Sequence, residues 1–364
     1  MMIAHAPGLS ARLRTALMLL VCFAWAGSTI AEDACLASGD YRFVCGPKST
    51  EDLVLVPGTN FIIGSAFSAG PALYLVDAAE KSWSILYPGE QAHALQDRER
   101  YGACPGAPDP AKLVTHGLYI RAGDAGRSTL YVVGHGGREA IEVFSVDASG
   151  TRPVVTWTGC VMMPEGLAAN SVAALANGTL LATIPLPPGK TIAEAMKENL
   201  PGAVYQWSPG DRGFTKIEGP DAHFPNGIEL SANEQEFYIV SGSSVVAYSN
   251  TRPARLLRNT EPLAFGPDNL HMGSDGQLLT AGMILDYPAC AKIGGDADFS
   301  FEAFANCPRP FIVAAVNPKT MEVRQIADGP ANPVFSNATM VLPVGDELWI
   351  GSFFSDRIAY RSRH

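Results

Sequence analysis

Apolar residues along this chain fall in short runs, mostly four to seven long, separated by Gly, Pro, Asn and Asp. Leu53-Val-Leu-Val56 leads to Phe61-Ile-Ile63, then Ala72 to Val76, Leu130 to Val133 and Ala140 to Val146. Leu180 to Ile184, Glu236 to Val240, Val245 to Tyr248, Leu278 to Thr280, Phe311 to Val316 and Glu347 to Ile350 follow. β-Branched and aromatic residues dominate these runs, which predicts strands joined by tight turns. Helical periodicity is almost absent. Thr191 to Leu200 predicts one short helix in a loop, with Thr191 and Glu194 spaced as a capping box.

A unit recurs: a polar turn, a short apolar strand, a turn, a second strand. It begins at Glu51-Asp52, Thr115-His116, Ala169-Asn170, Pro225-Asn226, Pro267-Asp-Asn269 and Ser336-Asn337. Six units of about 50 residues, each holding several strands, predict an all-β fold, a six-bladed β-propeller with a central channel. A two-sheet sandwich is the alternative, and the chain is long for one.

The N-terminus is different. Arg12 and Arg14 precede the apolar stretch Ala16 to Ala26, and Thr29-Ile-Ala31 fits a small-x-small cleavage site. Residues 1–31 therefore read as a signal peptide, 32–364 as a single propeller domain, and the chain as secreted or periplasmic. A retained anchor helix is the competing view; after cleavage no membrane span remains. Six cysteines follow Cys22, an even number that suits disulfides in an exported chain. Cys290 and Cys307 bracket one insertion and form the candidate pair. Asn177 and Asn337 head glycosylation sequons.

Composition narrows the chemistry. The chain has 47% hydrophobic residues, too many for a disordered protein, and a net charge of −10 without a basic cluster. Nucleic acid is thereby excluded as a partner, because phosphate neutralisation needs Lys and Arg. No Gly-x-Ser-x-Gly elbow supports a serine hydrolase. In a propeller, each unit's first strand lines the channel, so Glu51, Asp52, His116, Asn170, Asn226, Asp268 and Asn269 converge at one mouth. A ring of carboxylate and amide oxygens suits a hard cation such as Ca²⁺ better than zinc. Taken singly, each Asn-Gly or Asp-Asn pair is an ordinary turn sequence; recurrence at one place in successive units carries the signal.

At these residues the sequence resembles the paraoxonase/arylesterase family, within the wider group of gluconolactonase and strictosidine-synthase-like propellers. The likeness rests on Ser49 to Leu55, Thr115-His-Gly-Leu-Tyr119, Leu130 to Gly136 with Ile141 to Phe144, Phe224 to Ser231, Pro267-Asp-Asn-Leu270 and Leu348 to Phe354. The resemblance implies a catalytic calcium held by Glu51, Asn170, Asn226, Asp268 and Asn269. It also implies a histidine dyad, His116 activating water and His135 assisting, and hydrolysis of a small-molecule lactone or aryl ester. The family's second, structural calcium would use Asp52 and the Leu118 carbonyl, but Ser171 stands where a further carboxylate is expected. The disulfide that joins the chain ends in mammalian members has no counterpart near this C-terminus. Two other functions remain open: a non-catalytic propeller that binds a small molecule or a protein, and a sugar lactonase of the gluconolactonase type. The apolar insertion between Cys290 and Cys307, with Phe299, Phe301 and Phe304, would form a lid over an apolar mouth or pack as a surface loop. Oligomeric state is not written in the sequence.

Overall fold

A computed structural model describes residues 35–363, apart from 199, 221 and 294–299. The signal-peptide segment and Phe299 lie outside the described residues. The strands form six sheets of four or five strands, the blades of a β-propeller, antiparallel throughout except where His93–Ala94 pairs in parallel with Val154–Met162. The innermost strands are Leu53–Leu55, Val114–Ala122, Val172–Ala174, Pro225–Leu230, Gly266–Met272 and Ala338–Val344. Each begins at, or directly after, one of the six recurring polar turns.

Blade stacking explains the hydrophobic pattern. Middle strands such as Leu180–Ile184 and Phe61–Ser65 are covered on both faces by neighbouring blades, and nearly every side chain in them is buried. They consequently read as continuous apolar runs rather than as alternation. Outer strands such as Ser82–Tyr87 and Val323–Gly329 keep polar residues towards solvent. One core cluster runs through the first three blades and includes Leu118, Phe144, Trp157 and Val172, with the Phe144 ring 5.0 Å from Tyr87 of the first blade. Each such side chain contributes about 1.5–3 kcal/mol by leaving water.

The ring closes without a disulfide between the chain ends. Arg42–Cys45 adds as the outermost strand of the last blade, antiparallel to Arg357–Ser362, with Phe43 opposite Ala359 and Cys45 opposite Arg357. Cys45 bonds Cys35, which staples this closing strand to the residues before it. Cys104–Cys160 ties a long loop to strand Val154–Met162, and Cys290–Cys307 closes the insertion as expected from the sequence. Three disulfides fit an oxidising compartment. Among the described residues no helix is long and apolar enough to cross a membrane. The short helix is present at Ile192–Glu198: Glu194 N–H donates to Thr191 Oγ1, and Glu194 Oε2 accepts from Thr191 N–H.

Candidate active site in the central channel

The inner strands are irregular where the polar residues sit. Pairing with the next strand slips between Thr115 and Leu118, between Pro225 and Ile228, and between Pro267 and Leu270. Such bulges re-aim side chains, and here they carry His116, Asn226, Asp268 and Asn269. Close approach of inner strands explains the glycine after two of them. A Cβ on Gly117 would lie 2.7 Å from the Asn170 carbonyl oxygen, and one on Gly227 would lie 2.4 Å from the Leu270 nitrogen.

Hydrogen bonds then lock the ring. Glu51 Oε1 accepts from Asn269 Nδ2 at 2.5 Å, and the Glu51 carbonyl accepts from Thr339 Oγ1 at 2.6 Å. Asn226 donates to the Asp268 carboxylate. Thr183, on a middle strand, gives its hydroxyl to the Asn226 carbonyl and accepts from Ser171 N–H, tying the third blade to the fourth. These bonds use the ring's donors. Within the ring, four oxygens remain buried without a partner: Glu51 Oε2, Asn170 Oδ1, Asn226 Oδ1 and Asn269 Oδ1; elsewhere among the described residues Thr50 Oγ1, Thr280 Oγ1 and Asn337 Oδ1 share that state. Leaving such acceptors dry and unpaired costs roughly 1–3 kcal/mol each, a cost that a cation held among them would offset. No group of three His, Cys, Asp or Glu forms a metal cluster among the described residues; the convergent donors are largely amides.

Electrostatics point the same way. Burial pushes the Glu51 carboxyl well above its ordinary range, and the charges of Asp268 and Asp52 add to the shift. Asp268 is pushed up to about 7, chiefly by burial, with Asp52 contributing. Buried carboxylates crowded together favour a positive charge between them.

Beside the ring, His116 Nε2 lies 3.7 Å from Glu51 Oε1, and His116 Nδ1 lies 3.1 Å from His135 Nε2. Burial, then His135, hold His116 well below the usual histidine value, so it is neutral at physiological pH. The sequence-predicted residues are thus brought together: Glu51 with Asn269 and His116, Asn226 with Asp268, His116 with His135, and Asn170 beside Gly117.

The fold around these groups is shared with solved structures. No protein-family model matches the chain, and no curated protein matches it. A gluconolactonase from Xanthomonas campestris superposes with a TM-score of 0.52 at 14% identity, over 91% of this chain and 92% of that one. A calcium-binding regucalcin from Agrobacterium tumefaciens gives 0.50 at 11%, over 87% and 91%. A luciferin-regenerating enzyme gives 0.50 at 13%, over 87% and 92%. The chain is a six-bladed propeller of this architecture. At such identities the likeness speaks for the fold, and the side chains described here carry the chemistry.

Asp52 occupies a different environment from the ring. Its Oδ2 accepts the Leu118 N–H at 2.7 Å, its Oδ1 accepts the Leu53 N–H at 2.8 Å, and His271 Nε2 lies 2.9 Å from Oδ1. Leu118 therefore meets Asp52 through its amide N–H. His271 also faces Glu229, 3.7 Å away. Burial alone would lower its pKa, but Asp52 and Glu229 outweigh that and lift it to about 10. His271 and Glu229 were not singled out from sequence, although Glu229 sits in the quoted Phe224 to Ser231 motif and His271 directly follows Pro267-Asp-Asn-Leu270. Towards the other mouth, a cavity of about 360 Å³ is lined by Leu53, Tyr119, Arg121, Glu229, His271 and Leu342. Its charged groups are engaged with one another, Arg121 with Glu234 at 2.8 Å among them.

Aromatic residues cover the histidine end. The Phe67 ring lies 4.3 Å from His116 and 6.4 Å from Phe301, and Phe301 lies 5.8 Å from Phe353. Phe301 belongs to helix Phe301–Asn306 of the disulfide-bounded insertion. Asn337 Nδ2 donates to the Ala305 carbonyl of that helix, tethering the insertion to the sixth blade. Asn337 is fully buried, so the second sequon presents no accessible amide.

Proposed function

We propose that this chain is a calcium-dependent hydrolase of lactones or aryl esters. The observation that carries the reading is the set of four unpartnered buried oxygens in the ring beside a neutral, largely buried histidine. Glu51, Asn170, Asn226, Asp268 and Asn269 would hold the ion; hard oxygen donors with limited negative charge suit calcium. When bound, the ion supplies polarisation of a carbonyl and stabilisation of the oxyanion that develops on it. His116 takes a proton from the attacking water, a role open to a neutral imidazole facing the channel, and His135 supports it. Phe67, Phe301 and Phe353 exclude water from the mouth and receive the apolar part of a small-molecule substrate. One ion per chain is the reading, since the Asp52 carboxylate is engaged by two backbone amides and His271.

The gluconolactonase-like fold favours a second version of this activity, hydrolysis of a polar sugar lactone; the aromatic mouth favours the apolar one. Exported, the mature protein would be residues 32–364, one propeller domain in the extracellular or periplasmic space. Hydrolysis of a lactone panel and of phenyl acetate, each with and without chelator, tests the proposal. Calcium-dependent turnover of at least one member is expected. Its absence across the panel would leave a propeller that binds without catalysing.

A further inference from the structure

The turn after His135 carries an acidic residue that this mechanism does not use. Strand Arg127–His135 passes to Ala140–Asp147 through Gly136, Gly137, Arg138 and Glu139. Gly136 has φ +89°, and a Cβ there would lie 2.0 Å from the Lys112 carbonyl oxygen, so glycine is needed for the chain to double back. The turn returns Glu139 to the histidine four residues earlier, with Oε2 2.6 Å from His135 Nδ1. The cation of the same turn does not compete. Arg138 gives Nε and Nη2 to Glu142 at 2.7 Å each and Nη1 to the Gly106 carbonyl.

We propose that Glu139 is the positioning residue of the histidine pair, fixing the tautomer of both rings so that His116 Nε2 presents a lone pair to the channel. The catalytic consequence rests on the hydrolase reading above; the tautomers do not. An ionised carboxylate only accepts, so His135 Nδ1 must carry the proton. A neutral His135 then has an acceptor at Nε2, and the 3.1 Å contact requires His116 to donate from Nδ1. His116 Nε2 is left unprotonated. The reverse arrangement would set two acceptors against each other, 2.6 Å apart, at His135 and Glu139.

The proton path balances. Water loses a proton to His116 Nε2 while its oxygen bonds to the ester carbonyl carbon. His116 passes its Nδ1 proton to His135 Nε2. His135 then bears two N–H groups and a positive charge beside the negative carboxylate of Glu139, much as a buried carboxylate supports the imidazolium in a Ser-His-Asp triad. When the carbon–oxygen bond to the alcohol breaks, the protons return along the same path, and the leaving oxygen takes the one on His116 Nε2.

The test reads ring nitrogens in long-range ¹H–¹⁵N correlation spectra of the calcium-supplemented full chain at neutral pH. Both histidines should be Nδ1–H tautomers in the wild type, and Glu139→Ala should shift His135 towards Nε2–H. A wild-type His135 protonated at Nε2, or a tautomer unmoved in Glu139→Ala, overturns the proposal. In steady-state kinetics, Glu139→Gln keeps an acceptor oxygen but loses the charge. It should lower kcat by about ten- to a hundredfold at unchanged KM, and Glu139→Asp should recover part of the loss. Unchanged kcat in Glu139→Gln also overturns it. The spectra need no substrate, so an inactive wild type would count against the hydrolase reading and leave the tautomers measurable.

Discussion

His116 is the residue on which the proposed chemistry turns. Its ring is not among the described donors to the ion, so His116→Gln should keep calcium affinity while cutting lactone turnover by roughly 10²-fold or more. Burial and His135 place its pKa below the usual value. A base must be neutral to act, so the rate is lost as pH falls through that lowered pKa, and the acid limb of kcat should lie below about pH 6.5. A limb unchanged in His116→Gln would remove the dyad from the mechanism. Recurrence at one place in successive units made Glu51, His116, Asn170, Asn226, Asp268 and Asn269 legible in the sequence, and the family resemblance added His135. Thr183, Glu139 and His271 were not legible from residue type alone. Thr183 and His271 act through partners that only the folded ring supplies, and Glu139 meets His135 only because the turn between them doubles back.

At the scale of elements, the bulged inner strand is the device that turns an Asn-Gly turn sequence into a channel donor. Gly227→Ala tests it. The added Cβ would meet backbone atoms of Asp268, Asn269 and Leu270, which cannot swing aside as a side chain can. We expect a loss of about 3 kcal/mol, the upper part of the usual overpacking range, together with weakened calcium binding, because Asp268 and Asn269 move with it. Normal denaturant stability and normal affinity in this variant would show that the bulge tolerates displacement. Strand existence was readable where blades bury both faces, as at Leu130–Val133 and Leu180–Ile184. Strand Arg42–Cys45 was not, since its partner Arg357–Ser362 lies at the other end of the chain and nothing in four residues announces that pairing.

At the scale of the molecule, ring closure and channel charge govern stability. Removing residues up to Cys45 deletes the closing strand and its disulfide, and should lower Tm by about 10 °C or more. A Tm within a degree or two of the full chain would mean that the last blade holds without it. His271 makes stability depend on alkaline pH. Its pKa, raised to about 10 in the folded state, stabilises the fold fully below its unfolded value of about 6.5, and this contribution is lost as pH rises through 10. Thermal scans between pH 6 and 10 should show that decline in the wild type and a flatter profile in His271→Gln; parallel profiles would contradict the assignment.

The proposed chemistry depends above all on the ring oxygens left unpaired in the channel acting as a cation site. Calorimetric titration of calcium into the chelator-treated chain measures this directly, in wild type and in Glu51→Gln. The wild type should bind close to one ion per chain, with a matching rise in Tm because only the folded ring offers the site, and Glu51→Gln should bind far more weakly. Two tightly held ions would place a second at Asp52 despite its protein partners. A wild-type chain that takes up no calcium would contradict the claim outright.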